Sequence, residues 1–360
     1  TAVMAAAGNL STTLACLTAV IYLGIYYSTR RKDIKSLCKD QTAPSENIPY
    51  KKLVFVILAV SIPFSISSLI STANSAIDTV TVSRCIQNVF APFISDKTEL
   101  ERTAMELYGK LQKAETITHL PMAVSSTLYA AMVPVVSAAF AKGDYDAANK
   151  KIASSVFLSS LVICPCMGGL VILADPILRM LYPSVPDGAL ILQLLVITLP
   201  LCTLTYILNG VLYGAGKLKI PAIALGIGAV VKLVLNIALI SIPSLNIYGA
   251  VISTITYQTV VFIIETVVVY KTITIKIDFK QAFLKPALSA LVMSGAVWGA
   301  YTLLSKFTGN TVSTVLSVFV GVIVYAAALF VFKTFKKEDV LEFPKGEKIA
   351  KLLGKVGLIR

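Results

Sequence analysis

Residues 53–78 read LVFVILAVSIPFSISSLISTANSAID. No side chain in 53–77 carries a charge, and the first one arrives at Asp78. A helix of about 20 apolar residues crosses the hydrocarbon of a bilayer, so this run is long enough to span it. Membrane strands are about 10 residues long and alternate in polarity, whereas LVFVILAV is continuously apolar. The run also carries a stripe. Ser67, Ser71, Asn74 and Asp78 fall at i, i+4, i+7 and i+11, which puts them on one helical face. A polar stripe ending in a carboxylate reads either as the wall of a water-filled cavity or as a packing seam of small polar residues.

Working outward, the same pattern recurs. Further apolar runs of spanning length lie at 1–27, 118–140, 154–175, 189–213, 220–242, 247–270, 286–304 and 312–333. The expected fold class is therefore an all-α polytopic membrane protein with about nine transmembrane helices. Composition agrees: 56% of the 360 residues are hydrophobic and 14% charged, with a mean hydropathy of +0.80. Soluble domains carry about 25% charged residues, so a soluble enzyme, a disordered tail and a fibrous repeat are excluded.

The net charge of +13 follows the loops. With nine spans, 24 Lys and Arg fall on one side, in 28–52, 141–153, 217–219, 271–285 and the C-terminal tail, against 7 on the other. Basic residues collect in cytoplasmic loops, so Thr1 is expected outside and Arg360 inside. This reading needs no nucleic-acid partner. The chain opens inside an apolar run, without an initiator Met or a basic n-region, and is expected to begin within a longer protein. The six cysteines imply no disulfide framework, and Cys164-Pro-Cys166 lacks the spacing and second half of a zinc site.

Soluble catalytic motifs are absent. Gly226-Ile-Gly228 is not completed as a GxGxxG turn, and the one histidine, His119, leaves no room for a His-rich metal site. Information then sits in polar residues at membrane depth, which are costly and mark cavities or partners. Asp78 either ends the cavity stripe or pairs with Arg84 at the interface. Glu115 and His119 are spaced i, i+4, a pair able to hold a proton or simply an outer polar cap. Lys232 stands about 12 residues into a span and shares a face with Asn236. It either pairs with Glu265, which shares a face of the next span with Gln258, or draws an anionic substrate. Gly210/Gly214 and Gly295/Gly299 form two GxxxG spacings, expected to be packing faces.

The stretch from Asn74 to Arg84, Leu120 to Pro134 followed by Ala139-Phe-Ala-Lys-Gly143-Asp144, Ala174 to Tyr182, and Gly228 to Asn236 together resemble the stage V sporulation protein B group. That group stands with the lipid II and oligosaccharide-lipid flippases of the MOP superfamily, which also holds the MATE exporters. In place of the basic residues that often follow the third-span motif in lipid II flippases, the chain has Ser137-Ala138-Ala139. The resemblance implies a 14-span, two-lobe transporter of which this chain carries spans 6–14. Residues 1–27 would be the last helix of the N-lobe, 28–52 a basic cytoplasmic linker, 53–271 a six-helix C-lobe, 286–334 two additional helices, and 335–360 a cytoplasmic amphipathic tail. The implied function is flipping of a polyprenyl-pyrophosphate-linked saccharide, a peptidoglycan precursor or other polysaccharide unit, across the bacterial plasma membrane. The alternative is ion-coupled export of small organic cations. The partners implied are the lipid-linked oligosaccharide, membrane lipids and the N-lobe, with no enzymatic activity and no cofactor or metal. Lys232, Asn236, Asp78, Asn74, Ser71 and Ser67 become substrate or cavity residues. Asp78, Glu115, His119 and Glu265 become candidates for coupling to an H+ or Na+ gradient or to the membrane potential.

Overall fold

A computed structural model of the chain describes residues 13–14, 17–31, 49–273, 278 and 280–334. Among the described residues there are helices and no strands. The chain divides into two compact units, residues 1–58 and 59–360. In the first, α1 covers residues 17–31 with its side chains exposed, and α2 (Tyr50–Phe90) begins. The second holds the rest of α2, α3 (Lys97–Lys142), α4 (Tyr145–Ile172), α5 (Ala174–Leu181), α6 (Ala189–Leu195), α7 (Thr198–Gly214), α8 (Lys219–Ile240), α9 (Ile247–Tyr270), α10 (Lys285–Leu304) and α11 (Asn310–Val331).

Eight helical stretches among the described residues are long and apolar enough to cross a membrane, with α6 and α7 together making one. They coincide with the runs read from 53 onward. Much of the run at 1–27 and of the linker at 28–52, and all of the tail at 335–360, lie outside the described residues.

The helices end where local chemistry ends them. Asp96 caps α3, its carboxylate accepting from the Thr98 N–H at 3.0 Å. The helix then runs 46 residues, about 69 Å at 1.5 Å per residue, so its polar first half, 98–115, projects beyond the roughly 30 Å hydrocarbon. Gly143 stops it in a left-handed conformation, φ 70°, and the next residue, Asp144, caps α4 through the Ala147 N–H at 3.0 Å. Such caps contribute about 1 kcal/mol each.

Close helix contacts are made at small residues. A Cβ on Gly210 would come 2.5 Å from the Met132 Cε and one on Gly214 2.7 Å from a Val136 methyl, so this GxxxG seats α7 on α3. Gly228 meets Tyr257 and Val261 between α8 and α9. The second GxxxG is different. Gly295 and Gly299 face open space, and α10 packs on α11 through Gly321 against Val297 instead. Spacing alone could not tell which face of α10 finds a partner helix. Buried hydroxyls are largely satisfied within their own helices: Thr118 donates to Ala114 O, Ser160 to Val156 O and Ser253 to Gly249 O. Lipid offers them no other acceptor.

Candidate functional site

The stripe that opened the sequence reading faces a cavity of about 270 Å3. Ser71, Asn74 and Asp78 line it from α2, while Ser67 lies outside it, donating to Pro63 O and receiving the Tyr213 hydroxyl at 3.4 Å. From α3 come Glu115, Thr118, His119 and Met122, again one face at i, i+3, i+4 and i+7.

The sequence reading did not single out the opposite wall. Thr198, Cys202, Thr205 and Asn209 of α7 line the cavity, as do Thr254, Tyr257 and Gln258 of α9. The signal was present. Thr198, Cys202, Thr205 and Asn209 repeat the 4-3-4 spacing of Ser67, Ser71, Asn74 and Asp78, and Thr254, Gln258, Val261 and Glu265 repeat it again. Three helices thus turn the same kind of stripe inward. Gln258 donates to the Thr205 hydroxyl at 3.1 Å, tying α9 to α7.

The buried charge is paired across the cavity wall. Lys232 Nζ lies 2.5 Å from Asp78 Oδ2, and Asn236 donates to Asp78 Oδ1 at 3.0 Å and to the Thr81 hydroxyl at 3.2 Å. The lysine also stands 5.6 Å from the centre of the Tyr257 ring. Lys232 is 1% exposed and Asp78 3%, so the charges are mutually dependent: removing one partner strands the other in a low-dielectric interior.

Two expected pairings are therefore corrected. Lys232 pairs with Asp78 and not with Glu265. Gly228 lies level with Tyr257 and Val261, so Lys232, one turn on, is level with Tyr257. Glu265, one turn beyond Val261 the other way along antiparallel α9, falls about two turns, or roughly 11 Å, away. Asp78 does not pair with Arg84, which lies about 240° round the helix and is exposed.

Glu115 and His119 share the cavity face, but the hydrogen-bond partner of Glu115 is Gln112, at 3.2 Å. Gln112 also donates to the Tyr108 hydroxyl at 2.8 Å, which in turn meets the Thr79 hydroxyl at 2.8 Å, joining α3 to α2. Glu265 stands apart from all of this. It is fully buried, it does not line the cavity, and neither carboxylate oxygen has a hydrogen-bond partner among the described residues. No cluster of three or more His, Cys, Asp or Glu suited to a metal ion occurs among the described residues.

Behind α3 lies a second space of different character. A groove of about 760 Å3 runs between α3, α4, α5, α10 and α11. Ile117, Leu120 and Pro121 line it from the face of α3 opposite Glu115 and His119, with Leu161, Pro165, Met293, Val318 and Phe319 among the other walls. One helix thus separates a polar chamber from an apolar one.

Comparison with known proteins bears on these two chambers. The sequence pattern of the family described as Lipid II flippase MurJ matches residues 51–323. The Lipid II flippase MurJ of Bacillus subtilis (strain 168) is 25% identical over 239 residues, 65% of this chain and 42% of the relative. The membrane protein YabM of the same organism is 25% identical over 356 residues, 97% of this chain and 63% of the relative. Stage V sporulation protein B, also of Bacillus subtilis, is 26% identical over 251 residues, 67% of this chain and 46% of the relative. The chain thus spans 42% to 63% of the length of these relatives. Among solved structures, "Lipid II flippase MurJ, inward closed conformation" superposes with a TM-score of 0.58 at 19% identity, over 83% of this chain and 58% of that one, a likeness of fold. A MATE structure in complex with MaD5 matches with a TM-score of 0.50 at 16% identity, over 82% of this chain and 68% of that one. With that pattern running through most of its length, from the start of α2 into α11, the chain is a multi-pass membrane protein that belongs to the lipid II flippase MurJ family.

Proposed function

We propose that the chain belongs to a flippase that carries a polyprenyl-diphosphate-linked saccharide across the bacterial plasma membrane. The observation that carries the reading is the pair of chambers on either side of α3, one polar and one apolar. A lipid-linked saccharide has the same division. Its sugars and diphosphate cannot enter hydrocarbon without losing their hydration, whereas its polyprenyl chain can. A hydrated chamber for the head beside an apolar groove for the chain lets both parts move together.

In this reading residues 53–271 are a six-helix lobe, 286–334 two further helices along the groove, and 1–27 the last helix of a preceding lobe. The lobes rock about the cavity in alternating access. Thr1 lies outside and Arg360 in the cytoplasm, following the 24-to-7 split of basic residues.

The role of Lys232 changes from the one its position in the sequence implied. Its charge is already met by Asp78, so it holds α8 to α2 and leaves the diphosphate to cations elsewhere in the protein. The saccharide is met by Asn74, Asn209 and Thr254. These residues line the cavity, and their side-chain oxygens, turned away from it and without a hydrogen-bond partner among the described residues, become available to substrate when the side chains rotate into the cavity. Sugar hydroxyls supply the missing donors. Of the two carboxylates that line the cavity, Asp78 is matched by Lys232, which leaves Glu115 alone to attract an organic cation in the alternative reading.

The test is translocation of a labelled undecaprenyl-diphosphate saccharide by the complete protein in liposomes. Transport, with at least a tenfold loss in Asn209→Leu, is the expected result. Failure to move any lipid-linked sugar, together with uptake of an organic cation, would replace this reading with the exporter.

A further inference from the structure

Asp78, Glu115, His119 and Glu265 are the candidates for ion coupling. Glu115 and His119 face the cavity, and the surroundings of the two most deeply buried acids, Asp78 and Glu265, separate them. Both oxygens of Asp78 are engaged, by Lys232 and Asn236. Both oxygens of Glu265 are buried and unpartnered among the described residues.

One turn before Glu265, Val261 packs on Gly228, and the corresponding next turn of α8 offers Ala224 and Leu225. The titratable groups within electrostatic reach are Tyr213 of α7 and Tyr257 of α9 itself. Lys217 and Lys219 near the start of α8, and Lys271 just past the end of α9, form no ion pair with it, and Lys232 is committed to Asp78. The Thr266 hydroxyl beside it is unpartnered too.

A bare carboxylate in such a setting costs several kcal/mol. Three things can relieve it: a cationic side chain, a bound metal cation or a proton. The first is absent among the described residues. The second needs several oxygen ligands around the ion, and among the described residues Glu265 belongs to no cluster of His, Cys, Asp or Glu suited to a metal ion. The third needs no space at all.

We infer that Glu265 is the proton-carrying group of the transport cycle: it holds a proton while α7, α8 and α9 are closed around it, and gives that proton to water when they part. The step is a simple dissociation. The O–H bond of the carboxyl breaks, the electron pair stays on Glu265, and the proton passes to solvent. The link to the rest of the lobe runs through Tyr213, whose hydroxyl meets Ser67 of α2, and through Tyr257, which lines the cavity. Opening of the cavity therefore disturbs both neighbours of the acid. This inference rests on the transport reading above for its role, but not for the presence of the proton.

Two measurements test it, both on the complete protein in lipid. Infrared spectra at neutral pH compare wild type with Glu265→Gln, which keeps the shape of the side chain. The expected result is a carboxylic-acid C=O band present in wild type and absent in the variant. Spectra that differ only in ionised carboxylate bands would overturn the inference. The second measurement follows an entrapped pH dye during translocation of a labelled undecaprenyl-diphosphate saccharide. Wild type should move protons with the saccharide, and Glu265→Gln should lose at least tenfold of both. Equal proton movement in both proteins would overturn the coupling role even if the band is lost. A wild-type protein that moves no lipid-linked saccharide sinks the transport reading and the coupling role with it, while the infrared comparison still decides whether Glu265 holds a proton.

Discussion

Two buried acids of one lobe make the informative comparison. Asp78 sits at the end of a stripe on α2 and is bound on both oxygens, by an ammonium from α8 and an amide one turn further along the same helix. Glu265 sits at the end of an equally spaced stripe on α9 and is bound on neither. The two residues are nearly identical in chemistry and burial, and their environments give them opposite roles. A matched charge is fixed in place and ties helices together. An unmatched one must recruit something mobile, which is what a coupling site requires.

The largest expected effect comes from breaking the matched pair. Lys232→Ala leaves Asp78 charged with only the Asn236 amide beside it, and should cost about 3–5 kcal/mol of stability, read as a lowered unfolding midpoint in detergent. The double variant Asp78→Leu with Lys232→Met should recover most of that loss, because two apolar side chains of similar size leave no stranded charge. If the double variant were as unstable as the sum of the single ones, the pair would not be a unit.

Helix seating ranks next. Gly214→Val would drive side chain into Val136 and the Ser137 backbone N–H, and should cost about 1–3 kcal/mol. Gly299→Val, facing open space, should leave the midpoint unchanged in the same assay. A smaller effect is expected for Asn236→Ala, which removes one hydrogen bond to Asp78 and one to Thr81. Interhelical hydrogen bonds in membranes contribute about 0.6–1.7 kcal/mol, and unfolding of the variant should shift by that amount. Smallest of all is Glu265→Gln. It keeps the shape of the side chain and removes no hydrogen bond made by the described residues, so its unfolding midpoint should stay nearer to wild type than that of Asn236→Ala. A large destabilisation there would mean that the two acids are alike after all.

Most of the helices could be read directly from the sequence because lipid enforces a simple rule. Every backbone group must be bonded within its own helix, so a long uncharged run has one outcome, as 247–270 shows by matching α9 from end to end. The extension of α3 beyond its apolar run corresponds to the polar, helix-permissive stretch 98–115. The site was legible in part. Ser71, Asn74, Asp78, Glu115, His119 and Lys232 all line the cavity, because a polar residue on one face of a membrane helix has few other places to go. The α7 wall was missed because Thr198, Cys202 and Thr205 are unremarkable singly, and only their shared 4-3-4 spacing with α2 marks them.

That this chain is helical and lies within a membrane, and which face of each helix is polar, follows from local sequence alone. Those properties depend on neighbours three or four residues away. The tertiary structure alone decided partners. That Lys232 meets Asp78 across 154 residues and not Glu265 on the adjacent helix, that Gly214 is packed and Gly299 is not, and that Glu265 is left without a partner among the described residues all depend on the relative height and rotation of helices. Spacing within a helix fixes its faces, but only packing fixes which faces meet.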